Sequence, residues 1–175
     1  GRLRIYRSGV RLPHSPPKKI STSMETVEIS FDLTSTDYSA ELGFSVTLDE
    51  KTIIDILHVD KETPVTLKIE ADDGDQELKF TMKNKTANHT TVDENGQVVK
   101  DAYLNISNFY LKNIKLGDIF LEHCKYRHDF NGTQDPVVVP FYGDIGCNGT
   151  IVFLFQSPAY YWILETIPYR KSNYV

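Results

Sequence analysis

Thr26-Val27-Glu28-Ile29-Ser30-Phe31-Asp32-Leu33 is the stretch that decides the fold. Val27, Ile29, Phe31 and Leu33 alternate with Glu28, Ser30 and Asp32, a period of two that puts each apolar side chain on one face of an extended strand. The alternation returns in 42–48 (Leu42, Phe44, Val46, Leu48), 65–69 (Val65, Leu67, Ile69) and 78–82 (Leu78, Phe80, Met82). One wet face and one buried face mark antiparallel sheets, because parallel sheets are covered on both sides. Asp73-Gly74 and Asn95-Gly96 punctuate these runs and favour tight reversals with positive φ, so both are expected to close hairpins. Further strands are expected at 102–107, 109–116, 118–124, 136–142, 149–156 and 160–167, giving about ten at the spacing of a sandwich or barrel. Only 51–58 is compatible with a short helix. The expectation is an all-β chain folded as an antiparallel β-sandwich.

Upstream of the first strand the character changes. Residues 1–24 hold Arg2, Arg4, Arg7, Arg11, Lys18 and Lys19, no acid, and Pro13, Pro16 and Pro17. Such a segment buries too little apolar surface to offset chain entropy and reads as a flexible basic arm. Residues 25–170 then form a single sandwich domain and 171–175 a tail. The formal charge of −5 over 175 residues averages a cationic arm with a body near −11. With 40% apolar and 25% charged residues, a collagen, a disordered acidic tail and a cysteine-stapled miniprotein are excluded. No apolar run approaches the ~18 residues of a bilayer span, so any membrane anchor is expected outside this chain. The chain starts at Gly and shows no signal peptide, so its ends are read as processed or cut boundaries.

Asn-X-Ser/Thr triplets give the compartment. They occur at Asn84, Asn88, Asn105, Asn131 and Asn148. Nine asparagines and 26 serines and threonines produce about one such triplet by chance. Each triplet accepts a glycan only in a secretory compartment, so an extracellular, secreted or surface-held glycoprotein is expected. Asn105 is consistent with this, since Leu104 and Ile106 point to one face and Asn105 to the other. Cys124 and Cys147 are expected to pair in that compartment, closing a loop of about two dozen residues worth roughly 3–4 kcal/mol.

Residues that carry chemistry are sparse. The run from His123 to Asp129 holds His123, Cys124, His128 and Asp129, but adjacent strand residues face opposite sides, and a cystine would remove the thiolate a Cys/His nucleophile needs. Asp72, Asp73 and Asp75, with Glu70 and Glu77 nearby, do not have the spacing of a calcium loop and read as a solvated turn. No Gly-rich phosphate loop, nucleophile elbow or zinc-protease helix occurs. We therefore expect no catalytic residue, metal or cofactor. Aromatics concentrate near the C-terminal end, where Phe153 and Phe155 suit a core and Tyr160, Tyr161 and Trp162 are candidates for a partner contact. Arg4, Arg7 and Arg11 of the arm are candidates for a polyanion. Nucleic acid is not an expected partner of an acidic body without a recognisable binding fold.

Immunoglobulin domains place a Trp between two cysteines, whereas Trp162 follows both. The stretch Asn108-Phe-Tyr-Leu-Lys-Asn-Ile-Lys-Leu-Gly-Asp-Ile-Phe-Leu-Glu-His-Cys124, followed by Gly146-Cys-Asn-Gly-Thr150, resembles secreted glycoprotein antigens of tapeworms. The resemblance lies within residues 100–170, carries no catalytic or binding motif, and implies a secreted or surface antigen. The leading expectation is a non-enzymatic binding module or surface antigen whose partner is an extracellular protein or surface ligand. The alternatives are a carrier of a hydrophobic ligand held between the sheets and a glycan-acting enzyme with paired carboxylates.

Overall fold

The alternation around Phe31 becomes strand β1 (Met24–Ser35) in a computed structural model that describes residues 23–167. β1 lies between β4 (Thr63–Asp72) and β8 (Leu104–Leu111), and β8 also pairs with the short strands β9 (Ile114–Lys115) and β12 (Asp144–Ile145). The facing sheet runs β11 (Val137–Pro140), β10 (Cys124–His128), β13 (Gly149–Ser157), β5 (Gly74–Lys83), β2 (Gly43–Leu48), β3 (Lys51–Ile56). A separate ribbon joins β6 (Thr90–Val92) to β7 (Val98–Asp101). Every pair of strands is antiparallel, and the chain is an all-β sandwich.

The apolar faces meet in an aromatic layer. Phe31 and Phe109 from one sheet interdigitate with Phe44, Phe80 and Phe153 from the other. Phe120, from helix α1 (Asp118–Glu122), slides into the same layer and stacks on Phe109 at 3.8 Å between ring centroids. Offset and edge-on aromatic contacts of this kind add about 0.5–1.5 kcal/mol per pair beyond area burial.

Five of the expected elements differ. Residues 102–116 are not two strands but one long strand and a short return, because Asn108 (φ 50) bulges out and flips the parity of the buried side chains from Leu104 and Ile106 to Phe109 and Leu111. Residues 118–122 are helical, since Leu116, Ile119 and Phe120 are buried at helical spacing after Gly117 (φ 53) turns the chain. Residues 51–56 are an edge strand, not a helix: Asp49 and Glu50, both at positive φ, close a two-residue hairpin onto β2. The Asp73-Gly74 turn is not a hairpin but a corner, taking the chain from β4 in one sheet to β5 in the other. Asn95-Gly96, by contrast, does close the β6–β7 hairpin.

The largest correction is at 160–167, expected as a strand. Helix α2 (Ala159–Thr166) stands there, with Ala159, Trp162 and Ile163 buried and Tyr160, Tyr161 and Leu164 exposed. Apolar residues of both parities become one buried and one exposed stripe when the period is 3.6 rather than two. Glu25 fixes the start of the helix, its carboxylate accepting from the Ala159 N–H at 2.5 Å and from the Ser157 hydroxyl at 3.0 Å. Lys112 donates to the other oxygen at 2.9 Å and lies 4.9 Å from the centre of the Tyr160 ring. Burial alone would raise the Glu25 pKa, but Lys112, the Ala159 N–H and the Ser157 hydroxyl together hold it below the usual carboxylate range.

Glu25→Ala is expected to cost about 1–3 kcal/mol at pH 7, the range for loss of a part-buried, charge-assisted network. Because the folded-state pKa is depressed, this contribution is fully present above the unfolded carboxylate value and is lost as pH falls through the folded one. Urea unfolding of wild type and variant should therefore differ at pH 7 and converge towards pH 3.

Candidate functional site

Antiparallel strands that run the length of a sandwich give it two ends. At one end β1 and β5 finish and β8 and β13 begin; at the other β1 and β5 begin and β13 finishes. The asparagines of all five triplets fall at the first end. Asn84 follows β5, Asn88 lies in the turn before β6, Asn105 sits near the start of β8, Asn131 follows β10 and Asn148 precedes β13. Asn84, Asn88 and Asn131 are exposed, whereas Asn105 and Asn148 are half-buried.

Their side chains differ in what they do. Asn148 pins the backbone of Lys85 at both groups: its Oδ1 accepts from the Lys85 N–H at 2.9 Å and its Nδ2 donates to the Lys85 carbonyl at 2.8 Å. Asn105 Nδ2 donates to Asp144 at 2.7 Å. Asn131 uses only its Oδ1, which accepts from the Asn148 N–H at 2.7 Å. Gly149 follows Asn148, and a Cβ there would collide with the Arg127 carbonyl, so only glycine lets β13 approach β10 this closely.

The anchor of this end escaped the sequence reading. Lys85 is the middle residue of the first triplet, yet only 3% of its side chain is exposed. Its ammonium donates to Asp101 Oδ1 at 2.6 Å and to the Gly146 carbonyl at 2.5 Å, and Thr90 donates to the same carboxylate oxygen. This joins β5, the base of the β6–β7 ribbon and the loop before β13. Asn148→Ala strands the Lys85 N–H and carbonyl beside that ion pair and is expected to cost about 1–3 kcal/mol. Thermal unfolding checks it, with Asn131→Ala, which removes one exposed acceptor, as the milder comparison.

The expected Cys124–Cys147 disulfide is not formed; both thiols are free. Cys124 lies in the core on β10, two residues from Tyr126. Cys147 is held at the tip of the Tyr126 side chain, whose hydroxyl donates to the Cys147 carbonyl at 2.5 Å and accepts from its N–H at 2.8 Å. The phenol therefore spaces the second cysteine away from the strand that carries the first, and burial pushes that phenol up to about 12. Burial also raises both thiols, Cys147 against the opposing pull of Lys85, so neither is poised as a thiolate. A thiol reagent such as DTNB should titrate two sulfurs per chain in denaturant and react only slowly with native protein.

At the opposite end stands α2. Tyr160 and Tyr161 are 47% and 69% exposed, and Leu164 and Met24 stand out beside them at 63% and 61%. Trp162 is not available to a partner: it is 8% exposed and packs on His123, Phe153 and Phe155. Arg4, Arg7 and Arg11 lie outside the described residues.

The reactive run from His123 to Asp129 is dispersed. His123 lies against Trp162, Cys124 is in the core, and His128 is held between the rings of Tyr126 and Phe130. Among the described residues no group of three His, Cys, Asp or Glu side chains is placed to hold a metal ion. Asp73 instead accepts from Ser23 and Asp75 from Gln156. The rings fill the space between the sheets where a hydrophobic ligand would sit, which counts against the carrier reading. One surface concavity of about 300 Å³ is lined by Arg127, His128, Asn148 and Thr150 among others, and two adjoining ones of about 280 Å³ each flank Tyr142. Among the described residues no helix is long and apolar enough to cross a membrane. No protein-family model, curated protein or solved structure matches the chain.

Proposed function

We propose that this chain is an extracellular N-glycosylated β-sandwich protein, secreted or held at a cell surface, that acts by binding rather than by catalysis. The observation that carries the reading is the gathering of five triplets, separated by as many as 64 residues in sequence, at one end of the sandwich. Chance triplets have no reason to share an end, whereas glycans need solvent and leave their neighbours sterically shielded. The other end, with exposed Tyr160, Tyr161 and Leu164, is then the bare contact surface. Tyrosine supplies contact area at low entropic cost and is enriched where partners dock. A surface antigen, as the tapeworm resemblance implies, is the same architecture seen from outside. The free thiols are compatible with this reading, since nothing in it depends on a cystine.

Secretion from a glycosylating eukaryotic host, followed by intact mass before and after enzymatic deglycosylation, tests the proposal. A mass excess removed by the glycosidase is expected, with peptide mapping finding Asn88 and Asn131 occupied and Asn148 bare, because its amide already holds the Lys85 backbone. A secreted protein of unmodified mass would overturn it.

A further inference from the structure

Residues 140–145 hold one large ring in solvent between two anchors. On one side Phe141 is buried and packs against Phe120 and Tyr126. On the other, the Gly143 carbonyl accepts from the Ile106 N–H at 2.9 Å, and Gly143, at φ 105, turns the chain into β12. Tyr142 stands between them at 80% exposure, the most exposed large hydrophobic side chain among the described residues. Asn105 is its neighbour. It pairs with Asp144 across the β8–β12 ladder, two residues from Tyr142, and its Nδ2 lies 3.4 Å from where a Cβ on Gly143 would stand. Asn105 and Tyr142 line one concavity of about 280 Å³ together with Ser107, Lys115 and Leu121 among others. A ring, an apolar wall and hydrogen-bonding groups in one concavity suit a sugar, whose C–H face lies on a ring while its hydroxyls need partners.

We infer that the first sugars of a glycan on Asn105 lie in this concavity, against the Tyr142 ring. The inference rests on the reading of the chain as an N-glycoprotein and gives one of its glycans a place on the protein. Transfer from a lipid-diphosphate-linked oligosaccharide forms the Nδ2–C1 bond and breaks the bond from C1 to the diphosphate, which leaves with its lipid; Nδ2 gives up one of its two protons. The N–H that remains still donates to Asp144, as Nδ2 does at 2.7 Å, so the sugar departs from an amide held in place. Tethered beside the ring, it meets Tyr142 at high effective concentration, and contacts too weak to hold a free sugar suffice. The anchors at Phe141 and Gly143 serve the same end, because a ring already fixed loses little freedom when it is covered. A glycan on Asn88, exposed in the turn before β6, is the comparison.

Timed enzymatic deglycosylation of the native full chain, secreted from a glycosylating host and followed site by site by peptide mapping, tests this on wild type, Tyr142→Ala and Tyr142→Phe. Asn105 should be occupied, and Tyr142→Ala should speed release of its glycan about tenfold. Release at Asn88 should not change, and Tyr142→Phe, which keeps the ring, should behave as wild type. Tyr142→Ala should also lower the thermal midpoint by about 2–4 °C. In an Asn105→Gln background, where the ring has no sugar against it, the same change should leave the midpoint where it was. Tyr142 is exposed, and unchanged near-UV circular dichroism verifies the fold of each variant. Asn105 bare while Asn88 and Asn131 are occupied, release at Asn105 indifferent to Tyr142→Ala, or an equal fall in midpoint with and without the Asn105 glycan would each overturn the inference and leave the glycoprotein reading standing. A chain bare at every triplet would sink that reading, and this one with it.

Discussion

Everything in this molecule depends on how the phenylalanine rings of two sheets share one layer. Phe31, Phe44, Phe80, Phe109 and Phe153 come from strands remote in sequence, and Phe120 enters from a helix, so none of these elements has a dry face until the others are in place. Such a layer is close-packed like an organic crystal and tolerates little change in volume. It also dictates where function can reside. With rings between the sheets, the binding proposed for this chain falls to its surface, which is organised by the ends of strands.

The strand ends are what make the molecule bipolar. One end is closed by polar clamps, Lys85 with Asp101, Asn148 with the Lys85 backbone, and Tyr126 with Cys147. The other is closed by an apolar plug, Trp162 and Ile163 of α2, locked by the Glu25 carboxylate. A buried ammonium such as Lys85 is tolerated because its partners satisfy it, and among the described residues no buried side-chain polar atom lacks a hydrogen bond. The concentration of triplets at one end is a consequence of the same antiparallel threading.

How much of this was legible in the sequence follows from what is local. Alternation around Phe31, Phe44, Leu67 and Phe80 is local, and it yielded four strands, their buried faces and the fold class. Asn108 defeated the same logic, because one bulged residue exchanges the two faces and makes one strand look like two. Helix α2 defeated it differently: its residues 159–164 are apolar in unbroken succession, and the carboxylate that caps it is 134 residues away. The triplets were visible one by one, but their shared end is a property of strand direction and pairing. The disulfide expectation failed because two cysteines in a chain say nothing of the phenol that separates them.

Among the described residues strand β4 pairs with β1 on one side only. Its ten residues therefore present a line of backbone donors and acceptors, the kind of template on which further strands stack into aggregates. Pro64 withdraws one donor from that line, and Lys68, Glu70 and Asp72 crowd its solvent side with charge of both signs. Side chains that look like unremarkable solvent-facing groups thus restrain this sheet from growing, and a hydrophobic substitution among them would put solubility at risk before it touched stability.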